Sequence, residues 1–306
     1  MTRPAILVLL ATYNGAAHLA EQVDSILAQE GVDVRLVASD DGSNDGTAEW
    51  LAALAERDAR VTLLPQLPPS GGAAPNFYRL LRDVDARDGE LIAFADQDDI
   101  WLPRKLATQV EQLHAHGADV VSGSVLAFDA EGREHLVKKD YPQRRFDWLT
   151  ESPGPGCSFV MTPRFVELAR RVLDEVPEAR TAEFHDSLLY AIGRARGWRW
   201  HIDGEPLLRY RQHDANVLGA NQGARGAATR LGMIRAKWHR GQAIIHAVTG
   251  LAVAGDAERR ELERILVLLR STRRRDRRAL ARLAPQLRRR PRDRFVIGTL
   301  IRLGVW

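Results

Sequence analysis

The feature that most constrains this chain is the strict alternation of two hydrophobic periods over its first hundred residues. Short, mainly apolar runs occupy residues 5–11, 34–39, 61–64 and 91–95, broken only by Arg35, Ser39 and Thr62. Between them lie stretches with helical spacing at residues 15–28, 46–59 and 76–84, for example Leu19, Val23, Ile26 and Leu27. Apolar runs of this length suit strands covered on both faces, and the 3.6-residue period suits the helices that cover them. Strand and helix in turn predict an α/β fold: a Rossmann-like, mainly parallel central sheet with flanking helices. In such a sheet, ligands collect outside the carboxyl ends of the strands. Three polar clusters fall there, each at the end of a different run: Tyr13-Asn14-Gly15, Asp40-Asp41-Gly42-Ser43, and Asp96-Gln97-Asp98-Asp99. Their convergence on one edge marks a site.

Further along, residues 103–116, 163–173 and 185–195 read as helices. Residues 119–125 and 157–162 read as strands, and 198–203 with 206–211 as a pair of strands. Glycines at 219, 223 and 226 put a boundary between Asn216 and Arg225. The expected layout is a catalytic unit over 1–220, with halves at about 1–105 and 106–220, followed by a helical C-terminal region over 221–306. Charge divides the same way. The last 86 residues hold 21 of the 44 Lys and Arg but 6 of the 40 Asp and Glu, so an acidic body carries a basic tail. A lone cysteine, Cys157, forms no internal disulfide and suits a reducing compartment. Neither residues 5–11 nor 243–254 are long enough to span a bilayer, so the expectation is a cytoplasmic chain.

Acids at the end of a buried strand repel one another and resist desolvation unless something offsets them. A hard divalent cation does so, and takes carboxylate and phosphate oxygens. A solvated loop capping the next helix is the plainer explanation of Asp96-Gln97-Asp98. Asp41 has the chemistry to accept the imide N–H of a uracil or thymine, or to shape a turn, with Asp45 capping the helix after it. Tyr13 can stack on such a base or simply end a strand.

The spans Ala11-Thr12-Tyr13-Asn14-Gly15, Asp40 through Thr47, and Asp96 through Leu106 resemble family 2 glycosyltransferases of the GT-A fold, in order and spacing as well as in letters. With the later segments the resemblance covers about residues 4–215. Residues 97–106, and Tyr210-Arg211-Gln212-His213 followed by Asn216, are similar to the bacterial rhamnosyltransferase-like branch. The resemblance implies that Ala11, Tyr13, Asp41, Asp96, Gln97 and Arg211 face a nucleotide-sugar donor. It also implies that Asp98, joined by His213, holds Mg2+ or Mn2+, and that Asp186 is the base of an inverting transfer. A cap on the helix that follows remains the other reading of Asp186, a structural histidine that of His213, and pairing with an acid that of Arg211. Residues 153–157 are similar to the family's acceptor-side glycine segment, with Cys157 a packed small residue. The Gln-x-x-Arg-Trp motif of processive synthases is absent, which favours addition of one or a few sugars.

The reading is therefore transfer of a hexose or rhamnose from dTDP-rhamnose or a UDP-sugar to a cell-surface glycan or lipid-linked glycan. The alternatives are a nucleotidyltransferase, which lacks its glycine-rich phosphate loop here, and an inactive lipid-binding scaffold. The C-terminal Arg/Leu pattern, with Leu262, Ile265, Leu266 and Leu269 against Arg259, Arg260, Arg264 and Arg270, fits three arrangements. These are a peripheral helix on an anionic membrane, helices packed on the catalytic unit, or a homo-oligomer interface. A nucleic-acid partner has the charge but no motif and is not expected.

Overall fold

The computed structural model describes residues 3–212 and 238–306; His213 and the expected domain boundary lie outside them. The first four apolar runs become β1 (Ala5–Thr12), β2 (Asp33–Asp40), β3 (Val61–Leu63) and β4 (Leu91–Ala95). The helices between them are α1 (Leu19–Leu27), α2 (Thr47–Arg57) and α3 (Ala73–Asp83). Then follow β5 (Ile100–Trp101), α4 (Lys105–Ala115), β6 (Val120–Gly123), β7 (Val125–Phe128), β8 (Glu134–Val137) and β9 (Val160–Met161). Next come α5 (Pro163–Glu175), α6 (His185–Ala195), β10 (Trp200–Asp203) and β11 (Leu208–Arg211).

A seven-stranded sheet runs β10-β6-β9-β4-β1-β2-β3, parallel except for β9, which is antiparallel to both neighbours. β1 is buried from Ile6 onward because helices cover both its faces, the reason its sequence is apolar without alternation. Ile6, Val8 and Leu10 face the core beneath α1, while Leu7 and Leu9 face that beneath α3 and α5. A smaller sheet, β5-β11-β7-β8, folds over one end. The expected strand over 119–125 is broken at Ser124, and its two halves join different sheets. Residues 198–203 and 206–211 do not pair with each other. β10 lies beside β6, whereas β11 lies between β5 and β7. The expected strand at 157–162 shortens to β9, after a 3-10 turn at Gly156–Ser158.

The C-terminal region is helical as expected: α7 (Trp238–Val253), α8 (Asp256–Arg270), α9 (Arg274–Arg282), α10 (Ala284–Leu287) and α11 (Pro291–Leu303). α7 buries Ala243 and Ala247 against the catalytic core, and Leu262, Ile265, Leu266 and Leu269 of α8 continue that core. Thus these helices pack on the catalytic unit. No helix among the described residues is long and apolar enough to cross a membrane.

Candidate active site

The turns after β1 and β2 are stitched to each other. Asn14 adopts a left-handed conformation (φ 48°). Its N–H donates to Ser43 Oγ at 2.8 Å, and its Oδ1 accepts the Asn44 N–H at 2.9 Å. Gly15 donates to Thr47 Oγ1 and Ala16 to Asp45 Oδ2. Asp45 also accepts the N–H and hydroxyl of Thr47, which fixes the start of α2 and holds its carboxyl below the ordinary range. Asp40 is committed to architecture, taking the hydroxyls of Thr12 and Ser43 and the N–H groups of Gly42 and Ser43. The Gln97 amide bridges β4 to β1 through Tyr13, accepting its N–H at 2.8 Å and donating to its carbonyl at 2.9 Å. It packs so closely on Gly15 that a Cβ there would collide with it. The Tyr13 ring is left 57% exposed. The Asp41 carboxylate accepts the N–H groups of Ser70, Gly71 and Gly72, the last two at 3.2 Å each, in the loop leading into α3. Two carboxylate oxygens accept about four hydrogen bonds, so capacity for one donor remains.

At the end of β4 the acids crowd as expected. Burial pushes the Asp96 carboxyl up to about 7, aided by the charges of Asp98 and Asp186. Asp99 is raised well above its ordinary value by burial and by Asp96 and Asp98. It accepts the Arg211 N–H at 3.2 Å and is hydrogen-bonded to the Cys157 thiol. Burial likewise raises the Cys157 thiol. Ligand atoms of Asp96, Asp99 and Cys157 lie within 4.8 Å of one another. A neutral thiol is a poor partner for Mg2+ or Mn2+, which take oxygen. The buried side of this trio therefore reads as hydrogen-bonded support. The crowding of Asp96 with Asp98 is what a hard cation relieves, so these two carboxylates fit one. Beneath them Lys105 is fully buried, its ammonium pushed down to about 7 by desolvation. It is satisfied by Gln109 Oε1 at 2.9 Å and by the Trp101 ring at 3.7 Å.

The third carboxylate comes from the first turn of α6, where the helix dipole favours an anion. Asp186 Oδ1 accepts the N–H and hydroxyl of Ser187. Its charge acts on Asp96, Tyr78 and Lys139, so it lies near the carboxyl end of β4. Sequence reasoning missed its neighbour His185, whose imidazole stacks on Phe77 at 4.0 Å and abuts Gly156 so closely that a Cβ there would clash. Burial holds His185 down at about 4, hence neutral. Arg211 realises the acid-pairing reading, meeting Glu21 at 2.6 Å, while its Nε holds the Asp98 carbonyl at 2.8 Å. The structure therefore brings Asp96, Asp98 and Asp186 together, with Gln97 and Arg211 as braces beside them.

A mainly parallel sheet with acids at the carboxyl end of β4 and an acid opposite them on α6 defines a GT-A glycosyltransferase. The model of "Glycosyl transferase family 2" matches residues 7–171, and the chain belongs to that family. It is 37% identical over 233 residues, 76% of this chain and 81% of the relative, to the dTDP-rhamnosyl transferase RfbG of Shigella flexneri. S. aureus TarS 1–349 in complex with UDP-GlcNAc shares the fold at TM-score 0.58 and 14% identity, over 98% of this chain and 88% of that one. The mannosyltransferase PcManGT from Pyrobaculum calidifontis, in complex with GDP-Man and Mn2+, does so at 0.55 and 18%, over 100% and 82%.

Proposed function

We propose that this enzyme is an inverting, divalent-cation-dependent transferase that moves rhamnose from dTDP-rhamnose to a hydroxyl of a cell-surface glycan or glycolipid. The observation that carries this is the meeting of Asp96, Asp98 and Asp186 at one sheet edge, in a chain 37% identical to a dTDP-rhamnosyl transferase. In this reading the Tyr13 ring stacks on the base and Asp41 accepts its imide N–H, held in position by the loop at residues 70–72. Ala11, at the end of β1, lines the nucleotide. Gln97 fixes Tyr13, and Arg211 fixes the backbone of Asp98. Asp98, helped by Asp96 and the donor phosphates, would hold Mg2+ or Mn2+, which supplies positive charge to the departing diphosphate. Asp186 takes the proton of the acceptor hydroxyl as that oxygen bonds to the anomeric carbon and the bond to the diphosphate breaks.

A thermal-shift series with UDP, dTDP, GDP and CDP, with and without Mn2+, tests the donor site. dTDP should raise Tm, and only with the cation, because a ligand stabilises the state that binds it. The effect should depend on pH with a definite sign. Folded Asp96 keeps its proton up to about 7, while an unfolded Asp releases it near 4. Without metal this group favours the folded state at low pH, and that contribution is lost as pH rises through 7. Cation binding needs the ionised form, so affinity for dTDP with Mn2+ should fall by up to about tenfold per unit below pH 7. Equal shifts with a chelator present, or a preference for GDP, would overturn the reading.

The same reading sets the outer face of α11 against an anionic membrane. Phe295 and Leu303 are 77% and 67% exposed, next to exposed Arg292 and Arg302. Phe295→Glu with Leu303→Glu should release the protein from phosphatidylglycerol liposomes without altering dTDP binding; undiminished liposome binding would remove this face of α11 from the contact, and no binding by the unsubstituted protein would remove the membrane from the picture.

A further inference from the structure

The C-terminal region grips the stretch of chain that leads to the site. Residues 146–152 are bonded at several points to residues 286–289. The Phe146 N–H donates to the Gln286 carbonyl at 3.1 Å, and the Thr150 hydroxyl to the Leu287 carbonyl. Glu151 accepts the N–H and Nε of Arg289 at 2.9 Å each, and the Arg289 guanidinium also holds the Ser152 carbonyl. Arg288 and Arg289 belong to no helix. They lie in the short link between α10 and α11, where Arg288 (φ −134°, ψ 142°) and Arg290 (φ −78°, ψ 133°) are extended. A shift of α11 relative to α10 is therefore taken up in the residues that hold Glu151 and Ser152.

α11 is tied to the same link from the other side. Arg294, near its start, donates from Nε to the Arg288 carbonyl at 3.1 Å and from Nη2 to the Arg289 carbonyl at 2.5 Å. A guanidinium fork suits two successive carbonyls, whereas a lysine ammonium is a single point of charge. The next residue along the helix is the exposed Phe295. Beyond Glu151 the connection runs on toward the site. Ser152 Oγ donates to the Gly154 carbonyl at 2.7 Å and accepts the Gly154 N–H at 3.2 Å. The Pro153 carbonyl accepts the Ser122 hydroxyl at 3.1 Å, and Gly156 packs on the ring of His185, next to Asp186. Contact alone transmits nothing; an element that can adopt two arrangements does. The link at 288–290 has no helical ladder of its own to resist a second arrangement.

We propose that this link is a membrane-responsive latch. When the outer face of α11 settles on an anionic lipid surface, Arg294 draws residues 288–289 against Glu151 and Ser152, and the segment 152–158 beside Asp186 becomes firm. The proposal rests on the membrane contact of α11 given above and adds what that contact does to the site. Lipid can shift the segment only if α11 meets it better with the latch closed than open. Phe295 and Arg294 are adjacent, so burying the Phe295 ring in lipid fixes the backbone from which Arg294 reaches. An enzyme built in this way is fully formed only at the surface on which a glycolipid acceptor lies.

The test uses the full chain, saturated in dTDP and Mn2+, with and without phosphatidylglycerol liposomes. Sedimentation reads lipid binding. Hydrogen exchange reads the segment through the N–H groups of Glu151, Gly154, Ser158 and Phe159, which are bonded to Asp147, Ser152, Pro155 and Gly156. Liposomes should slow exchange there by about fivefold or more, the low end of coupling between two sites. Arg294→Lys keeps the charge and loses the fork; it should sediment as the unsubstituted protein does and lose the slowing. Glu151→Gln, at the other end of the latch, should behave alike, and dTDP binding in each variant confirms its fold. Lipid-bound protein with unchanged exchange at these groups would overturn the latch, as would slowing that survives both substitutions. Loss of sedimentation in Arg294→Lys would put Arg294 in the lipid contact and not in the latch. Failure of the unsubstituted protein to sediment would remove the membrane contact itself, and the latch with it, so the two errors are told apart.

Discussion

Asp186→Asn should lower kcat by roughly 10²–10⁴-fold while donor binding survives, the range expected when a positioned general base is removed. The substitution preserves the oxygen that accepts the Ser187 N–H and hydroxyl, so the start of α6 should be undisturbed. It removes the ability to take a proton, together with the negative charge. It has a second effect that a merely structural residue would lack. Asp186 is one of the charges that raise Asp96; with that charge gone, Asp96 ionises at lower pH, and the pH midpoint of Mn2+-dependent dTDP binding should move down. Full activity in Asp186→Asn would return this residue to the helix-capping role that its sequence context also allows. A fallen kcat with an unmoved midpoint would separate the base from the electrostatic link to Asp96.

Arg289→Met should be strongly destabilising, costing about 3 kcal/mol, because it takes the nearer of two cations from buried Glu151 and one of two from buried Asp147. The Arg289 side chain is 4% exposed and faces Asp147, at 0%, and Glu151, at 9%. Asp147 is also bound by Arg194 and the Tyr190 hydroxyl, and burial still raises its carboxyl. Arg209→Met, which breaks the exposed pair with Glu134, should by contrast cost no more than about 1 kcal/mol. Urea denaturation of both variants settles the point; equal losses would mean that the buried network is not a determinant of stability.

How far the sequence carried depended on where the determining contacts lie. β1, β4 and the latter half of β2, with the helices between them, could be read because both faces of these strands are covered, so burial is written as mainly apolar runs. Asp41, Asp96 and Asp98, the residues proposed to face the donor, were visible because strand ends must deliver them. What escaped notice depends on partners distant in sequence. Ser124 divides one apolar run between two sheets, and nothing local says so. Lys105 looks like a surface lysine at the start of a helix but is fully buried over Trp101. His185 gains its meaning from Phe77 and Gly156, and Arg289 from Glu151, more than a hundred residues away. The arginine-rich tail read equally well as a membrane face or a packing face. In the structure the apolar side of these helices continues the core and Arg289 turns inward, while Arg292 and Arg302 stay exposed.

β9 is two residues long, yet it is what joins β4 to β6 in the large sheet. Val160 and Met161 are buried, and their backbones complete the ladder on both sides. This bears on recombination between relatives. A chimera that takes its donor half from one enzyme and its acceptor half from another inherits the strand with the acceptor half but needs its fit to the donor half. The natural crossover point, between β4 and β6 in sequence, thus cuts a seam that is continuous in space. Hybrids should tolerate exchange of the loops after β1 and β2 far better than exchange at that seam, so the practical unit for altering nucleotide choice is the loop set and not the half-domain.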